Sequence, residues 1–128
     1  MGNGAVFDSS AVLAVIFSEP GGEAVIGLLK GGLLSSVNLA EIHTTLILRG
    51  STPKMARSRI LSMGCEVCAF EQEQALIAGG LVERTRPYGL SLGDRACLAL
   101  AIERQATVYT TDRIWKKIPL GIAVELIR

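Results

Sequence analysis

The chain holds only three aspartates, Asp8, Asp94 and Asp112, and each stands at a junction between an extended run and a helical one, or at a helix start. Asp8 follows the apolar run Ala5–Phe7, Asp112 follows Thr107–Thr110, and Asp94 falls in the first turn of a helix predicted over residues 91–105. A fourth acid, Glu41, falls in the first turn of a helix predicted over residues 38–48. In open parallel α/β sheets, ligands bind outside the carboxyl ends of the strands, so these four carboxylates are expected to converge on one edge of the sheet. Helix capping is the competing explanation. Asp8 and Asp112 suit N-cap positions, Ser91-x-x-Asp94 and Asn38-x-x-Glu41 fit the capping-box spacing, and acids near helix N-termini complement the dipole. Capping does not explain why the helix behind Asp94 runs uncharged through residues 96–102. A carboxylate at the start of a buried helix needs a partner for its charge, and no lysine or arginine is placed to serve all four acids. A divalent cation is the economical partner, and oxygen ligands without added His or Cys favour Mg²⁺ or Mn²⁺ over zinc. Such a site supports phosphoryl chemistry, in which the metal activates water and neutralises charge on phosphate oxygens.

The charge distribution suits a polyanionic substrate. The net charge of the 128-residue chain is +1, so outside these four acids it is +5. Nine of the 13 basic residues are arginine, the better bidentate phosphate ligand. Arg49, Lys54, Arg57 and Arg59 fall within eleven residues. They are candidates for phosphate contacts, against the plainer reading of a solvated helical hairpin.

Length and composition bound the rest. At 128 residues, one domain spanning 1–128 is expected. Hydrophobic residues at 49% and charged residues at 20% exclude an intrinsically disordered chain. The longest uncharged stretches, residues 9–18 and 31–40, are ten residues, well short of the ~20 a membrane span needs. The apolar run at 11–17 lacks the basic flank of a secretory signal, and Met1-Gly2 lacks the Ser or Thr of a myristoylation site because position six is Val6. A soluble, cytoplasmic protein is the expectation. Cys65, Cys68 and Cys97 are read as reduced thiols. Cys65-Glu-Val-Cys68 has CxxC spacing, but it lies in a strand-like run where residues three apart point to opposite faces. His43 lies two residues after Glu41, about 200° around the helix, and reads as a packed or surface residue rather than a general base. Trp115 and Tyr88 could stack on bases, but aromatics are only 5% of the chain, and Trp115 reads as an anchor for the last short helix.

The elements that must position these acids alternate in type. Strands are predicted at 5–7, 33–37, 66–70, 107–110 and 122–127. Helices are predicted at 9–17, 23–29, 38–48, 53–62, 71–84, 91–105 and 112–117, punctuated by Glu19-Pro20-Gly21-Gly22, Gly31-Gly32, Gly50 and Pro87-Tyr88-Gly89. Gly79-Gly80 is the weak point of the helix predicted over 71–84. Short strands alternating with helices predict an α/β fold, a central mostly parallel sheet with helices on both faces.

With these residues in place, the chain resembles PIN-domain ribonucleases, in particular the VapC-like toxins of prokaryotic toxin–antitoxin pairs. The resemblance rests on Val6-Phe7-Asp8-Ser9-Ser10-Ala11, Ser36-Val-Asn38-Leu-Ala-Glu41, Gly89-Leu-Ser91-Leu-Gly93-Asp94-Arg95-Ala96 and Tyr109-Thr110-Thr111-Asp112-Arg113. Each fragment is weak alone; four in the right order and spacing are specific. The resemblance implies Asp8, Glu41, Asp94 and Asp112 as catalytic metal ligands, with Thr110 and Ser10 as supporting hydroxyls. It implies an RNA substrate cut to 5′-phosphate and 3′-hydroxyl ends, a homodimer, and a cognate antitoxin that wraps the toxin and often inserts a basic side chain into the acidic pocket. The four acids are all present; the Met1-Gly2-Asn3-Gly4 leader is a slight departure.

Other classes fit less well. A Mg²⁺-binding receiver domain of two-component signalling needs paired acids at the first strand and a lysine after the fifth; Asp8 stands alone and no such lysine follows. The chain has no GxxxxGK[ST] for a P-loop, and Gly2-Asn-Gly4 precedes a strand instead of following one as a dinucleotide fingerprint would. An inactive PIN-like module that only binds RNA or protein is the remaining alternative, and four intact acids count against it.

Overall fold

The computed structural model describes residues 4–128; of the leader, Met1, Gly2 and Asn3 lie outside the described residues. Five short strands, β1 (Ala5–Phe7), β2 (Leu33–Ser35), β3 (Glu66–Cys68), β4 (Thr107–Thr110) and β5 (Val124–Leu126), form one sheet in the order β3-β2-β1-β4-β5. Every pairing is parallel, so the sheet is wholly rather than mostly parallel. Parallel neighbours need long crossovers, which the helices supply: α1 (Ser9–Ile16), α2 (Gly22–Val25), α3 (Ser36–Leu48), α4 (Pro53–Ser62), α5 (Gln72–Gly80), α6 (Val82–Thr85) and α7 (Leu92–Arg104).

Alternation along the strands divides the core. Val6, Leu33 and Val108 join Leu81, Cys97, Leu98 and Trp115 on one face, while Phe7 and Leu34 join Val12, Ile42, Leu46 and Ile60 on the other. Both faces are therefore covered, as a parallel sheet requires. The middle of α7, from Ala96 to Ala101, is buried without interruption, which accounts for its uncharged sequence. Among the described residues, no helix is long and apolar enough to cross a membrane.

The main boundary difference lies between β2 and α3. The strand ends at Ser35, two residues earlier than its apolar run suggests. Ser35 is fully buried and extended, and its hydroxyl accepts from Val37 N at 3.2 Å, capping a helix that already starts at Ser36. Glu41 consequently lies in the second turn of α3, not the first, and Asn38-x-x-Glu41 is not a capping box. The segment at 23–29 breaks into a short α-helix and a 3₁₀ turn, and the segment at 71–84 breaks into two helices at Leu81, directly after Gly79-Gly80. The segment after Asp112 is a 3₁₀ turn, Arg113–Lys117, anchored by the wholly buried Trp115. β3 and β5 are three residues each, shorter than predicted.

Candidate active site

β1 sits at the centre of the sheet, between β2 and β4, so Asp8 emerges from the middle of its carboxyl edge. Asp8 holds the N-cap position of α1, with extended backbone, yet its side chain makes no capping bond. Its Oδ2 accepts two hydroxyl hydrogen bonds instead, from Ser10 Oγ at 2.6 Å and Thr110 Oγ1 at 2.9 Å. Thr110, at the end of the neighbouring β4, also accepts from Asp112 N at 3.1 Å, and Ser10 accepts from Thr111 N at 3.1 Å. The two hydroxyls thus tie Asp8 to the loop that carries Asp112.

The other acids are held differently. Asp94 Oδ2 accepts from Ser91 N at 2.9 Å while Ser91 Oγ accepts from Asp94 N at 3.1 Å, a complete capping box. Asp112 Oδ1 accepts from Ile114 N at 3.1 Å and caps the 3₁₀ turn. Glu41 Oε1 accepts from Ser9 Oγ at 2.7 Å and from Asn38 Nδ2 at 2.8 Å, and Asn38 Nδ2 donates as well to the Gly93 carbonyl at 3.2 Å. Capping is therefore real at Asp94 and Asp112 and absent at Asp8. In every case the second carboxylate oxygen accepts no hydrogen bond from the described residues.

Asp8 and Asp94 feel the charge of their neighbours. Burial pushes the Asp8 carboxyl up to about 6; the Ser10 and Thr110 hydroxyls pull it down, and the charges of Asp94 and Glu41 add to the rise. Asp94 is also raised, first by burial, against the lowering effect of its two Ser91 bonds, with Glu41 and Asp112 pushing further. Among the described residues the ion pairs are Arg104–Glu66 and Arg128–Glu19, so none of the four acids has a cationic partner within 4.0 Å. The four do not close into one tight shell, however. Among the described residues no group of three or more His, Cys, Asp or Glu side chains stands close enough to hold a metal ion directly. The physical reason is visible in the tethers, because each carboxylate is turned toward its own local donor and like charges keep apart.

The donor set still suits a hard cation. All four groups are carboxylates, each with one oxygen unspent. Mg²⁺ keeps several waters and typically takes only one or two carboxylates directly, so acids spaced around an edge fit it better than they would fit zinc.

The remaining candidates separate into groups. Arg49 stacks over the Phe17 ring at 4.4 Å, and Arg59 Nη2 donates to the Ile16 carbonyl at 3.0 Å, so both brace the end of α1. Lys54 and Arg57 are exposed and rim an apolar groove of about 610 Å³ between α3 and α4, with Leu39, His43 and Leu61 in its walls. His43 Nε2 lies 3.3 Å from the Pro53 carbonyl, at the α3–α4 connection. All three cysteines are free. Cys97, fully buried, has its thiol pushed far up by burial and by the charges of Asp8, Asp94 and Glu41, which makes it a poor nucleophile. Ser9, Asn38 and Gly93 carry contacts that sequence reasoning missed. The Asn38–Glu41 spacing was the available signal, since residues three apart face each other on a helix.

A model of the family described as "PIN domain" matches residues 5–120. No curated protein matches the chain by sequence. Solved structures do resemble it: DNA-bound VapBC from Salmonella typhimurium (TM-score 0.74, 18% identity, 98% of each chain covered); a toxin–antitoxin complex from Klebsiella pneumoniae (0.73, 19%, 97% of this chain and 98% of that one); and FitAcB from Neisseria gonorrhoeae (0.73, 19%, 96% and 97%). Identities this low speak to the fold. The family match covers nearly the whole chain, including all four acids, and so the chain belongs to the PIN-domain family.

Proposed function

We propose that this PIN-family nuclease is a Mg²⁺- or Mn²⁺-dependent endoribonuclease and the toxin of a toxin–antitoxin pair. The observation that carries the reading is the state of the four acids. Asp8, Glu41, Asp94 and Asp112 line the carboxyl edge of a parallel sheet, and among the described residues none has a cationic partner and each has one oxygen fixed by a protein donor and the other unbonded. Carboxylates fixed at one oxygen leave the other available to a cation or to the waters that Mg²⁺ keeps. When bound, the cation supplies an activated water and neutralises charge on the scissile phosphate. The chain's own groups hold the carboxylates: Ser10 and Thr110 orient Asp8, Ser91 orients Asp94, and the Ile114 amide orients Asp112. Burial raises the Asp8 carboxyl to about 6 in the metal-free protein, and a bound cation would favour its ionised form.

The structures it resembles are toxin–antitoxin complexes, which supports an antitoxin as its protein partner. The apolar groove between α3 and α4, with Lys54 and Arg57 on its rim, suits an apolar segment carrying acidic residues. A homodimer is part of the same proposal, and the exposed apolar side chains Leu76, Val82 and Leu92 are candidates for its contact. The test is cleavage of a defined RNA by purified protein with Mg²⁺, with Mn²⁺ and with chelator. Metal-independent cleavage, or cleavage surviving in Asp94→Asn, would refute the metal-site assignment. RNA binding with no cleavage in any metal would favour the silent module.

A further inference from the structure

Glu41 is an exposed residue on a helix, a setting in which a glutamate ordinarily samples several rotamers. Here it is held at three points by three different helices. Ser9 of α1 and Asn38 of α3 both donate to Oε1, at 2.7 and 2.8 Å. The Asn38 amide also bonds the Gly93 carbonyl in the first turn of α7, so one buried side chain locks α3 to α7 at the carboxylate. Asn38 Oδ1 is buried with no hydrogen-bond partner among the described residues. A residue present only to fill space would avoid that unpaired acceptor.

The third point is an absence of atoms. A Cβ on Gly93 would lie 2.6 Å from Glu41 Cδ and nearer still to Oε2. Gly93 lies within α7 and its φ is not in the left-handed region. Alanine would therefore be the better helix former at this position. Glycine is explained by the space that the Glu41 carboxylate occupies. The atoms that alanine would meet belong to the far end of one flexible side chain.

We propose that Asn38 and Gly93 are positioning residues that seat the Glu41 carboxylate against the first turn of α7, beside Asp94, with Oε2, which accepts no hydrogen bond from the described residues, available to a divalent cation or its hydration shell. The proposal rests on the metal-dependent reading given above. Removing a hydrogen-bonding support of this kind typically weakens metal binding 10- to 100-fold.

The experiment measures Mn²⁺ affinity by the loss of the free-ion EPR signal, together with thermal melting in chelator, for wild type, Gly93→Ala, Asn38→Leu, Glu41→Gln and the Gly93→Ala/Glu41→Gln double variant. Gly93→Ala is expected to melt in chelator at or above the wild-type temperature and to bind Mn²⁺ at least about tenfold more weakly. Asn38→Leu should lose a similar factor. In the double variant, Gly93→Ala should cost nothing beyond Glu41→Gln, because the carboxylate it would displace has already been replaced by a neutral amide. Wild-type affinity in both single variants would overturn the seat while leaving the metal reading intact. So would a Gly93→Ala loss of the same size in the Glu41→Gln background. An unfolded Gly93→Ala chain would overturn it as well, since the methyl would then be meeting more than a movable carboxylate. If Asn38→Leu fails to fold, Gly93→Ala and the double variant decide. Absence of Mn²⁺ binding in wild type would refute the metal reading, and the seat with it, before any variant is compared.

Discussion

Replacing Asp8 by asparagine should stabilise the metal-free protein at neutral pH while removing its response to Mg²⁺. Asp8 is 6% exposed, and burial is the largest influence raising its carboxyl to about 6. The folded value lies above the ordinary 3.8, so the folded state binds more protons than the unfolded one. The stability tied to this group is complete below about pH 4 and is lost as pH rises through about 6. A rise from 3.8 to about 6 corresponds to ~3 kcal/mol once the group is fully ionised. Asparagine escapes that penalty and fits the same space. Its carbonyl can take over the Ser10 and Thr110 hydroxyl bonds made by Oδ2, and its amino group can face the side where Oδ1 accepts nothing from the described residues. For a domain of this size, ~3 kcal/mol is an upward shift of roughly 10 °C in Tm. Thermal melts from pH 4 to 8 in chelator should show the two curves converging near pH 4, separating between about pH 4 and 6, and keeping a constant gap above that. With Mg²⁺ at a hundred times its dissociation constant, wild type should gain ~2.7 kcal/mol and Asp8→Asn little or none. An Asp8→Asn protein that melts below wild type at pH 7.5 in chelator would refute the reasoning. A difference that stays constant across the pH range would refute it equally.

In the cleavage assay, Asp8→Asn and Asp94→Asn should each lower the rate at least ~10²-fold, with His43→Ala and Cys68→Ser near wild type; a fast Asp94→Asn enzyme would contradict the site. Asp94 also completes the capping box with Ser91, so Asp94→Ala should unfold more easily than Asp94→Asn by ~1 kcal/mol in chelator, measured by urea denaturation. Neutralising Lys54 and Arg57 together should flatten the salt dependence of RNA binding by roughly 1.4 in log–log slope if both meet single-stranded phosphates; an unchanged slope would confine them to the groove's protein partner. Arg59→Gln should instead act on stability, lowering it by ~1 kcal/mol through the lost bond to the Ile16 carbonyl, and should leave the salt slope nearly unchanged.

Strand–helix alternation was readable because each strand is a short apolar run and each helix carries its own stop signals. The position of Asp8 just past β1 and Asp112 just past β4 followed from that reading, since parallel strands put all such junctions on one edge. The uncharged stretch in α7 correctly announced burial at residues 96–101. These features depend on backbone preference and hydrophobic pattern, which act over a few residues. Tertiary contact was needed to show that β1 lies between β2 and β4, which brings Thr110 to Asp8 across 102 positions of sequence. It was needed equally to show that Ser9, Asn38 and Gly93 meet at Glu41, and that Arg49 and Arg59 face α1 while Lys54 and Arg57 face open groove. The early start of α3 belongs with these, because Ser35 caps from a wholly buried position that its apolar flanks make look like strand. Residue type and order give an acid its place along the chain. Which of its oxygens is tethered and which is free depends on donors that reach it only after the helices have packed on the sheet.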